Sequence, residues 1–471
     1  MTRCPFWGGG MSWLREIPHG VPQSGLMTTL RAVFAVLAAF GALAAAPQSG
    51  DDPVTVSSDH PRLFLRPARL RLLKRERERT SARWQQFEAF VAGHAPLPER
   101  GFALALYYAV TGDAPEGRQA VAWALGKDSD PRQQAVVYDW CQPLLSEAQR
   151  RELESRLEKA ISGPPSDQSV AIASSRALAA IALFDHSPKA PQKELERIVR
   201  AWWEHGVAPA LREGRAVVKR DDAYPLYELL HAIRDNTNID LRESCPGFFK
   251  QFPIEHLMSY YPAVYDGPDT EYYIGAERRQ GEPDLRLAAL SRAAALAMVA
   301  FDTNAPQSQV LQGWLMHDRF ILHGTFGAPY EFLWANPYQP GLSYYHVPLV
   351  YYNAEFGTLF VRSTWEPTAR WFGYFDGAMQ IFDEGRLSAV DPQKTKAPIA
   401  LKEAVVCVAR AAKRFRVRLE ENEPVYLVDL EPRKAYQIEI DDEELYEAVS
   451  DPGGILELEV PRGKEVGIRL R

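Results

Sequence analysis

The spacing of apolar residues changes once along this chain of 471 residues, and that change constrains its fold most strongly. Between residues 67 and 322 apolar side chains recur every three or four positions, as Leu153, Leu157 and Ile161 do. This period is typical of helices that bury one face. From residue 356 onward the period becomes two, which is typical of strands. The sequence therefore predicts helices first and a sheet second.

The helical part has the pattern of a series of hairpins. Apolar segments 101–110 and 117–125 are joined by Thr111-Gly112-Asp113, a turn that ends in a good helix-capping residue. Segment 166–184 is almost wholly small or apolar, which is typical of a helix packed on several sides. Long apolar helices that alternate with amphipathic ones predict stacked helical hairpins, curved into a solenoid or a toroid.

The last part of the chain has the pattern of short strands and tight turns. Phe415, Val417 and Leu419 alternate with arginines, and similar alternation follows further along the chain. The run Asp451-Pro452-Gly453-Gly454 is a tight-turn signal between two such segments. We therefore predict a compact antiparallel β-domain over residues 356–471.

An aromatic tract separates the two patterns. Residues 327–352 contain four prolines and eight Phe, Tyr or Trp residues, and we predict that this tract is not helical. We assign it to the end of a helical domain spanning residues 47–355. Because it lies at the junction of the predicted domains, it is a candidate to line a cleft.

The amino terminus resembles an export signal. A run of small and apolar residues from Ala32 to Ala46 follows Arg31 and contains Ala42-Leu43-Ala44, an A-x-A cleavage pattern. The run is shorter than the roughly 20 residues that a spanning helix needs. We predict that translation starts at Met27, that residues 1–46 are leader and signal, and that the protein is periplasmic or secreted without stable membrane insertion. A retained anchor or a genuine extension is the alternative.

Charge and composition limit the classes of partner that this protein is expected to bind. With 46% hydrophobic and 24% charged residues the chain is not mostly disordered. It carries 54 Lys and Arg against 61 Asp and Glu, a net charge of −7, and no long basic block, so we expect no nucleic-acid partner. A polyanionic ligand would need local positive groups, because the field of the whole protein would repel it.

The cysteine and histidine patterns give no sign of a metal site. Cys141, Cys245 and Cys407 are widely separated, and the absence of C-x-x-C excludes a zinc ribbon while leaving one disulfide open. No H-x-H pair and no H-E-x-x-H motif is present, so we expect neither a metal nor a cofactor.

Several segments resemble the heparinase II/III and alginate lyase group of polysaccharide lyases. They are His60-Pro61-Arg62-Leu63-Phe64-Leu65, residues 105–113, Val137-Tyr138-Asp139-Trp140 with the following 144–147, and residues 357–377 with Phe375-Asp376-Gly377. This resemblance covers most of the chain after the leader. It implies an α+β multidomain fold, an incomplete (α/α) toroid followed by a small antiparallel β-sandwich, with a substrate cleft between them.

The chain departs from these lyases at two motifs. They usually carry Asn-His at the start of an inner helix, where this chain has Asp167-Gln168-Ser169. They also have a histidine-rich stretch in the β-sandwich, where this chain has Met379-Gln380-Ile381-Phe382-Asp383 and no histidine after His346. Lyase chemistry therefore does not follow from the resemblance alone.

The first candidate site is a predicted helix with Pro225 in its first turn. Tyr227, His231 and Arg234 follow at i, i+4 and i+7, on one face. Elimination from a uronic acid needs a base, a proton donor and a cation to neutralise the carboxylate, and these side chains would supply them. The resemblance places the catalytic tyrosine at Tyr224 or Tyr227. The alternative is that His231 lies in an aromatic core and Arg234 pairs with an acid.

The second and third candidate sites are aromatic. Rings beside amides and acids suit sugar binding, because rings stack on sugar faces and amides bond hydroxyl groups. In the aromatic tract we predict Tyr345 and His346 as catalytic and a further set as substrate-binding; a domain-interface plug is the alternative. In a third stretch, around residues 260–273, Tyr261 is a candidate for lining the cleft. The predicted substrate-binding set is Arg234, Tyr261, Glu331, Trp334, Asn336, Tyr338 and Gln339.

These patterns favour an exported carbohydrate-active protein. The leading hypothesis is a lyase that acts by β-elimination on an acidic polysaccharide or oligosaccharide. The alternatives are a glycan-binding or scaffold protein that has lost catalysis, and a toroidal glycoside hydrolase. For the hydrolase, paired carboxylates such as Asp221 and Asp222 would be the candidates.

Overall fold

The structure is a computed structural model. It describes residues 53–57, 59–163, 169–278, 281–419, 423–441, 444–461 and 463–471. The predicted leader and signal, residues 1–46, lie outside the described residues, so the start at Met27 and export stay predictions. Asp167 and Gln168 of the Asn-His comparison also lie outside them.

The described chain is helical first and β second, as the sequence predicts. The last α-helix ends at Trp334, and the larger sheets begin at Val350. The helices are α1 (Pro67–Glu78), α2 (Ala82–Ala92), α3 (Arg100–Thr111), α4 (Ala114–Ala124), α5 (Pro131–Trp140), α6 (Glu147–Ser162), α7 (Val170–Leu183), α8 (Lys189–Glu196, continued by π-helical Arg197–Val207), α9 (Ala208–Arg212), α10 (Ala223–Thr237), α11 (Pro246–Ser259), α12 (Leu285–Phe301), α13 (Pro306–Leu315) and α14 (Gly324–Trp334).

Local sequence signals explain how these helices begin and end. The predicted hairpin between α3 and α4 is confirmed: Gly112 ends α3 with φ of +77°, which glycine adopts without strain, and the Asp113 carboxylate accepts from the Glu116 amide to cap α4. Ser146 and Gln149 form a reciprocal capping box at the start of α6. Pro225 lies in the first turn of α10, where its missing N–H costs little.

Helices α3, α5, α7, α10, α12 and α14 pack in order, each against the next, and α14 packs back against α3. The remaining helices pack on the outside of this series. Small residues allow the close approach: Gly101 in α3 lies so near Trp123 of α4 that a Cβ there would be 2.2 Å from the indole ring. Helix α7 is buried on nearly all sides, as its small and apolar sequence predicts.

One prediction about the aromatic tract is wrong. Residues Gly324–Trp334 form helix α14 although Pro329 lies inside it. The Glu331 side chain accepts from the backbone N–H of His323, the residue before the helix, which satisfies one of the amides left free at a helix start. Phe332 and Leu333 are fully buried, so packing outweighs the cost of the proline.

The strands form one small hairpin and three larger sheets. Strands β3 to β7 make a five-stranded antiparallel meander; the next sheet has the order β14-β11-β9-β8 and the last β10-β15-β12-β13. The strands are β1 (Tyr265–Asp266), β2 (Glu271–Tyr272), β3 (Val350–Asn353), β4 (Thr358–Arg362), β5 (Trp371–Phe375), β6 (Ala378–Asp383), β7 (Arg386–Ala389), β8 (Ile399–Leu401), β9 (Ala404–Val408), β10 (Arg414–Arg418), β11 (Val425–Val428), β12 (Ala435–Ile440), β13 (Glu444–Val449), β14 (Leu456–Leu458) and β15 (Glu465–Leu470).

These three sheets are stacked, so the β part has more layers than the predicted small sandwich. One face of the meander packs on the helices through residues such as Trp371, and its other face packs on the β9–β11 sheet through residues such as Phe372. The opposite face of that middle sheet packs on the last sheet, with Cys407 and Ile438 in the shared core. Strands β4, β5, β9 and β11 are buried on both faces and therefore show no alternation.

Two further details correct the predicted β-domain. Strands β9 and β11 pair in parallel, with Val425 opposite Val405, whereas every pair was expected to be antiparallel. Strand β3 lies before residue 356, in the segment assigned to the helical domain. Cys141, Cys245 and Cys407 are buried free thiols, so none of them forms the disulfide that the sequence left open. Among the described helices, none combines the length and apolar content needed to cross a bilayer.

Candidate active site

A cleft of about 660 Å³ lies between the amino-terminal ends of α10 and α12 and the turn that joins β5 to β6. It therefore lies where the helices meet the first sheet, the kind of place in which the sequence predicts a cleft. Its lining combines cations, carboxylates and one aromatic ring. The lining residues are Ala216, Lys219, Arg220, Asp221, Ala276, Glu277, Arg278, Asp284, Leu287, Phe375 and Asp376.

Arg220 forms the floor of the cleft. Its guanidinium carbon lies 4.2 Å from the ring centre of Phe375 and 4.9 Å from that of Phe360, both on the meander. Nη1 of Arg220 donates to the carbonyl oxygen of Ala276 (3.1 Å). Burial lowers the pKa of Arg220, and nearby acids, among them Glu255, Asp376 and Asp221, oppose this shift. An arginine side chain is cationic at neutral pH. It therefore joins the helical wall to the sheet wall.

Glu277 is positioned by the sheet through its backbone. Gln380 on β6 donates from Nε2 to the carbonyl oxygen of Glu277 (2.7 Å), and the N–H of Glu277 donates to the hydroxyl of Tyr261 (3.3 Å). Tyr261 in turn donates to Oε1 of Gln380 (2.8 Å). This closed set of bonds fixes the segment that carries Glu277 and Arg278 against the meander. Tyr261, predicted to bind substrate, is buried and acts here as a support.

The four carboxylates that line the cleft differ in their hydrogen bonds and ion pairs. Asp284 caps α12 by accepting from the amides of Arg286 and Leu287. Asp221 and Asp376 are exposed, and within the described part of the chain neither forms a hydrogen bond or ion pair. Asp221 lies on the helical wall, and Asp376 lies in the β5–β6 turn with φ of +49°. Two carboxylates that form no hydrogen bond or ion pair among the described residues, and that both act electrostatically on Arg220, thus belong to opposite walls of one cleft.

Asp222, paired with Asp221 in the sequence prediction, has a different place. Its Oδ2 accepts from the backbone N–H of Lys219 (3.0 Å), so it closes the turn before α10 rather than lining the cleft. Burial raises the pKa of Asp222 above its usual value. The neighbouring acids are therefore one capping residue and one solvated residue.

The cleft narrows inward to a polar recess behind Arg220, where His256, Ser259 and Ser291 join its lining. Nε2 of His256 lies 3.0 Å from the carbonyl oxygen of Ser291 and 3.2 Å from the hydroxyl of Tyr260. Burial lowers the pKa of His256 to about 4, so the imidazole is neutral at pH 7. Sequence reasoning did not select His256.

The side chains of the first candidate site, Tyr227, His231 and Arg234, lie on one face of α10, as their spacing predicts. That face packs against the core. Tyr227, His231 and Arg234 all contact the ring of Phe301, with the Arg234 guanidinium 3.4 Å from its centre. His231 is 2% exposed, and its Nε2 bonds the carbonyl oxygen of Ala297 (3.0 Å). Burial holds its pKa well below 6.5. These side chains surround the Phe301 ring and do not line the cleft. His231 is sealed in the core, whereas Tyr227 lines a separate pocket and Arg234 is partly exposed, so their catalytic roles stay predictions.

Tyr224 is also buried, one turn earlier in α10. Its hydroxyl donates to Oε1 of Glu228 (3.2 Å) and accepts from Nε1 of Trp334 (3.2 Å). Burial raises the pKa of Tyr224 well above its usual value, which keeps the phenol protonated. In this structure Tyr224 is part of the packing between α10 and α14, and its predicted catalytic role stays a prediction.

The residues of the second candidate site, in the aromatic tract, are divided between the core and the surface. Glu331 and Trp334 are buried in α14, where Glu331 accepts from Nε of Arg292 (3.0 Å). Tyr345 is 54% exposed, and His346 next to it is exposed as well. None of these four residues lines the cleft.

The remaining residues of this candidate site close local turns. Asn336 Oδ1 accepts from the amide of Tyr338 (3.2 Å), and Nε2 of Gln339 donates to the carbonyl oxygen of Thr303 (3.3 Å). Tyr338 is exposed and lies under Arg79, 5.6 Å from the guanidinium carbon. The structure therefore does not bring the aromatic tract together with the cleft. Its rings pack elsewhere, with Tyr330 on Phe102, Phe332 on Phe87 and Tyr344 on Trp365.

In the described ranges, no group of three or more His, Cys, Asp or Glu side chains could hold a metal ion. The groups that line the cleft are carboxylates and cations. Asp376 was visible in the sequence only as part of a β-domain signature, and Glu277 and Arg278 carried no signal. Their role depends on a contact between segments about a hundred residues apart.

Comparison with known proteins leaves the family open. No protein-family model matches the chain, and no curated protein does. Among solved structures, one described as a glycoside hydrolase has a TM-score of 0.32 and 10% identity over 79% of this chain and 71% of its own. A GH127 β-arabinofuranosidase has a TM-score of 0.30 and 11% identity over 89% and 80%. Both are glycoside hydrolases rather than lyases, and likeness at this level carries no argument about this chain.

Proposed function

We propose that the chain is a carbohydrate-active protein that hydrolyses glycosidic bonds in the cleft between α10, α12 and the β5–β6 turn. One observation carries this proposal: Asp221 and Asp376, two exposed carboxylates that form no hydrogen bond or ion pair among the described residues, lie on opposite walls of that cleft. Hydrolysis of a glycosidic bond uses two carboxyl groups that flank it. The closed packing order of α3, α5, α7, α10, α12 and α14 supports an (α/α) toroid as the helical frame.

In the proposed mechanism the carboxyl groups on the two walls have different roles. One carboxyl group, protonated, donates its proton to the glycosidic oxygen as the bond to the anomeric carbon breaks. The other, ionised, either activates a water molecule or attacks the anomeric carbon, and the separation of the two groups across the bound sugar decides which. Water supplies the hydroxyl group that ends on the new reducing end. Arg220 and Arg278 provide donors for sugar oxygens in the same cleft.

Elimination fits the cleft less well. It needs a base for the C5 proton and an acid for the leaving oxygen, roles that Tyr and His side chains commonly fill. In the described part of the chain, no tyrosine or histidine lines the wide cleft, and the predicted base, His231, is in the core. His256 reaches only the inner recess, with its Nε2 already bonded.

The test is a product analysis with the chain from Pro53 onward. The protein is incubated with neutral and acidic polysaccharides, including alginate, pectic and heparin-like chains. New reducing ends without ultraviolet absorbance would support hydrolysis. Reducing ends that appear together with the absorbance of an unsaturated uronide would instead support elimination and overturn the proposal. Binding without any cleavage would support a scaffold of the same fold and would also overturn it.

A further inference from the structure

The outward face of the last sheet carries a second depression, of about 690 Å³. It lies on the far side of the β part from the helices, because two other sheets intervene. We name it the outer groove. Its lining residues are Arg414, Phe415, Arg416, Glu439, Asp441, Glu465, Gly467, Ile468 and Arg469.

Strand alternation places a row of three arginines on one face of β10, and two of them, Arg414 and Arg416, line this groove. Phe415 and Val417 on β10 are buried in the core of the last sheet. Arg414, Arg416 and Arg418 therefore project from the opposite face, which faces solvent. Strand β10 is an edge strand of its sheet, so this row lies along an open edge. The row is a local cationic strip on a chain whose net charge is −7.

Gly467 forms the floor of the groove and, because it has no side chain, leaves the space above it open. Gly467 on β15 lies directly opposite Arg416, and its N–H donates to Oδ1 of Asp441 (2.7 Å). A Cβ at Gly467 would have only Asp441 Oδ1 near it, at 3.8 Å. The space above this glycine is therefore open, and its bare backbone lies between Arg416 and the acids Glu439 and Asp441. Glu465, on the same strand as Gly467, lies opposite Arg418.

Those acids are already paired with cations. Glu439 lies 3.7 Å from Nη1 of Arg469 and 2.6 Å from Nη2 of Arg471. Asp441 accepts from Nζ of Lys464 (2.7 Å).

The arginine row has fewer partners than the acids. Arg416 and Glu465 are 3.6 Å apart and both are largely exposed, a weak contact in water. Within the described ranges, Arg414 and Arg418 have no carboxylate within ion-pair distance. The positive charge of the row is therefore available to a ligand.

We propose that the outer groove binds a segment of an acidic polysaccharide, with Arg414 and Arg416 on its carboxylates, a sugar ring over Gly467, and Arg418 continuing the arginine row beyond the groove. Guanidinium groups bind carboxylates through two parallel N–H···O bonds, and a flat glycine floor admits a sugar ring. Such a site would hold the protein on an anionic chain independently of the cleft. It does not rest on the proposed hydrolysis, because binding is measured without turnover.

The test measures binding of polygalacturonate, and of the same polymer with its carboxylates methyl-esterified, by affinity electrophoresis and calorimetry. We expect the acidic polymer to bind and the ester to bind at least roughly tenfold more weakly, with affinity falling as salt rises. Arg414→Gln/Arg416→Gln/Arg418→Gln should weaken binding by roughly tenfold or more. Gly467→Leu should weaken it without a change of charge, because the side chain fills the floor.

The control triple is Arg71→Gln/Arg75→Gln/Arg118→Gln, three exposed arginines of the helical part with the same loss of charge. It should bind as the wild type does. Absent binding, equal binding of the ester, an equal loss in the control triple, or tighter binding of single-stranded DNA than of polygalacturonate would each overturn the proposal. Loss of polymer binding in the triple Arg414→Gln/Arg416→Gln/Arg418→Gln, with cleavage of a short oligosaccharide retained, would separate the two sites.

Discussion

Arg132 on α5 and Glu228 on α10 form a buried ion pair, with Nε of Arg132 2.9 Å from both carboxylate oxygens of Glu228. Glu228 also accepts from Tyr224 and Ser174, and Arg132 reaches Glu99 (3.1 Å). Burial disfavours the charge on Arg132, but Glu228 and its neighbours outweigh that effect and raise the pKa of Arg132. This one pair therefore links helices α5, α7 and α10.

Removal of either charge should be costly, because the other would remain buried without its partner. We expect Glu228→Gln and Arg132→Gln each to lower the free energy of unfolding by about 3–5 kcal/mol. The double variant should lose less than the sum of the two losses. Urea unfolding measures all three. As a control, Glu152→Gln removes an exposed pair with Arg156 and should cost less than about 0.5 kcal/mol. Additive losses at Arg132 and Glu228 would contradict the proposed coupling.

His60 should make stability depend on pH. Its Nδ1 lies 2.5 Å from Oδ1 of Asp139, its Nε2 lies 3.0 Å from Oδ2 of Asp185, and Arg62 pairs with the same Asp185. Burial and Arg62 disfavour the charged ring, but the bonds to Asp139 and Asp185 outweigh them and raise the pKa of His60 above 6.5. Because the folded pKa is raised, the stabilisation is complete below pH 6.5 and is lost as pH rises through the folded pKa.

The measurement compares wild type and His60→Gln by urea unfolding at a series of pH values. The difference in unfolding free energy should be largest at or below pH 6.5 and should shrink as pH rises. The difference in unfolding free energy between the two proteins isolates the contribution of His60. The wild-type curve alone does not, because the lowered pKa values of buried His231 and His256 make their contributions to stability change with pH in the opposite direction. His317→Gln, at an exposed site, is the control. A difference that stays constant with pH would contradict this account.

Gly101 should tolerate no side chain. Alanine in a helix is favoured over glycine by roughly 1 kcal/mol, but a Cβ at Gly101 would lie 2.2 Å from Cε3 of Trp123. We expect Gly101→Ala to destabilise the fold by about 1–3 kcal/mol. Gly247→Ala, a glycine in the first turn of α11 with open space around it, should be neutral or slightly stabilising. Thermal unfolding of both variants checks this, and equal effects at the two glycines would count against the observed packing.

Asp221 and Asp376 should be required for cleavage. With either one changed to Asn, the cleft keeps its shape but loses a proton donor or a base, so kcat/KM should fall about 10²- to 10⁴-fold. Circular dichroism should show an unchanged fold, because both side chains are exposed and neither forms a hydrogen bond or ion pair among the described residues. Glu204→Gln, the same change on an exposed outer helix, should leave kcat/KM as it is. Full activity in Asp376→Asn would remove Asp376 from the mechanism.

Much of the fold follows from local signals in the sequence. The turn at Gly112, the capping residues Asp113 and Ser146, and the spacing around Tyr227 each act within a few residues, so they predict helices and their faces. The order of helices and sheet follows from the change of period. Helix α14 was missed because Pro329 is a strong local signal against a helix, whereas burial of Phe332 depends on distant packing partners.

The site follows from the sequence only in small part. Spacing places Tyr227 and His231 on one face of α10 but does not say whether that face meets solvent or Phe301. Arg220 becomes a cleft residue only because Phe375, far along the chain, lies beneath its guanidinium. Contacts between the helices and the meander are nonlocal, and no periodicity or motif in either segment encodes them.

Cleavage in water enriched in ¹⁸O tests the central claim most directly. Hydrolysis adds one water molecule across the bond that breaks, and cleavage at the anomeric carbon places its oxygen on the new reducing end. Mass spectrometry of the freshly released products should therefore show one heavy oxygen in each new reducing end, and Asp376→Asn should release almost none. Products that carry a double bond and no heavy oxygen would contradict the account.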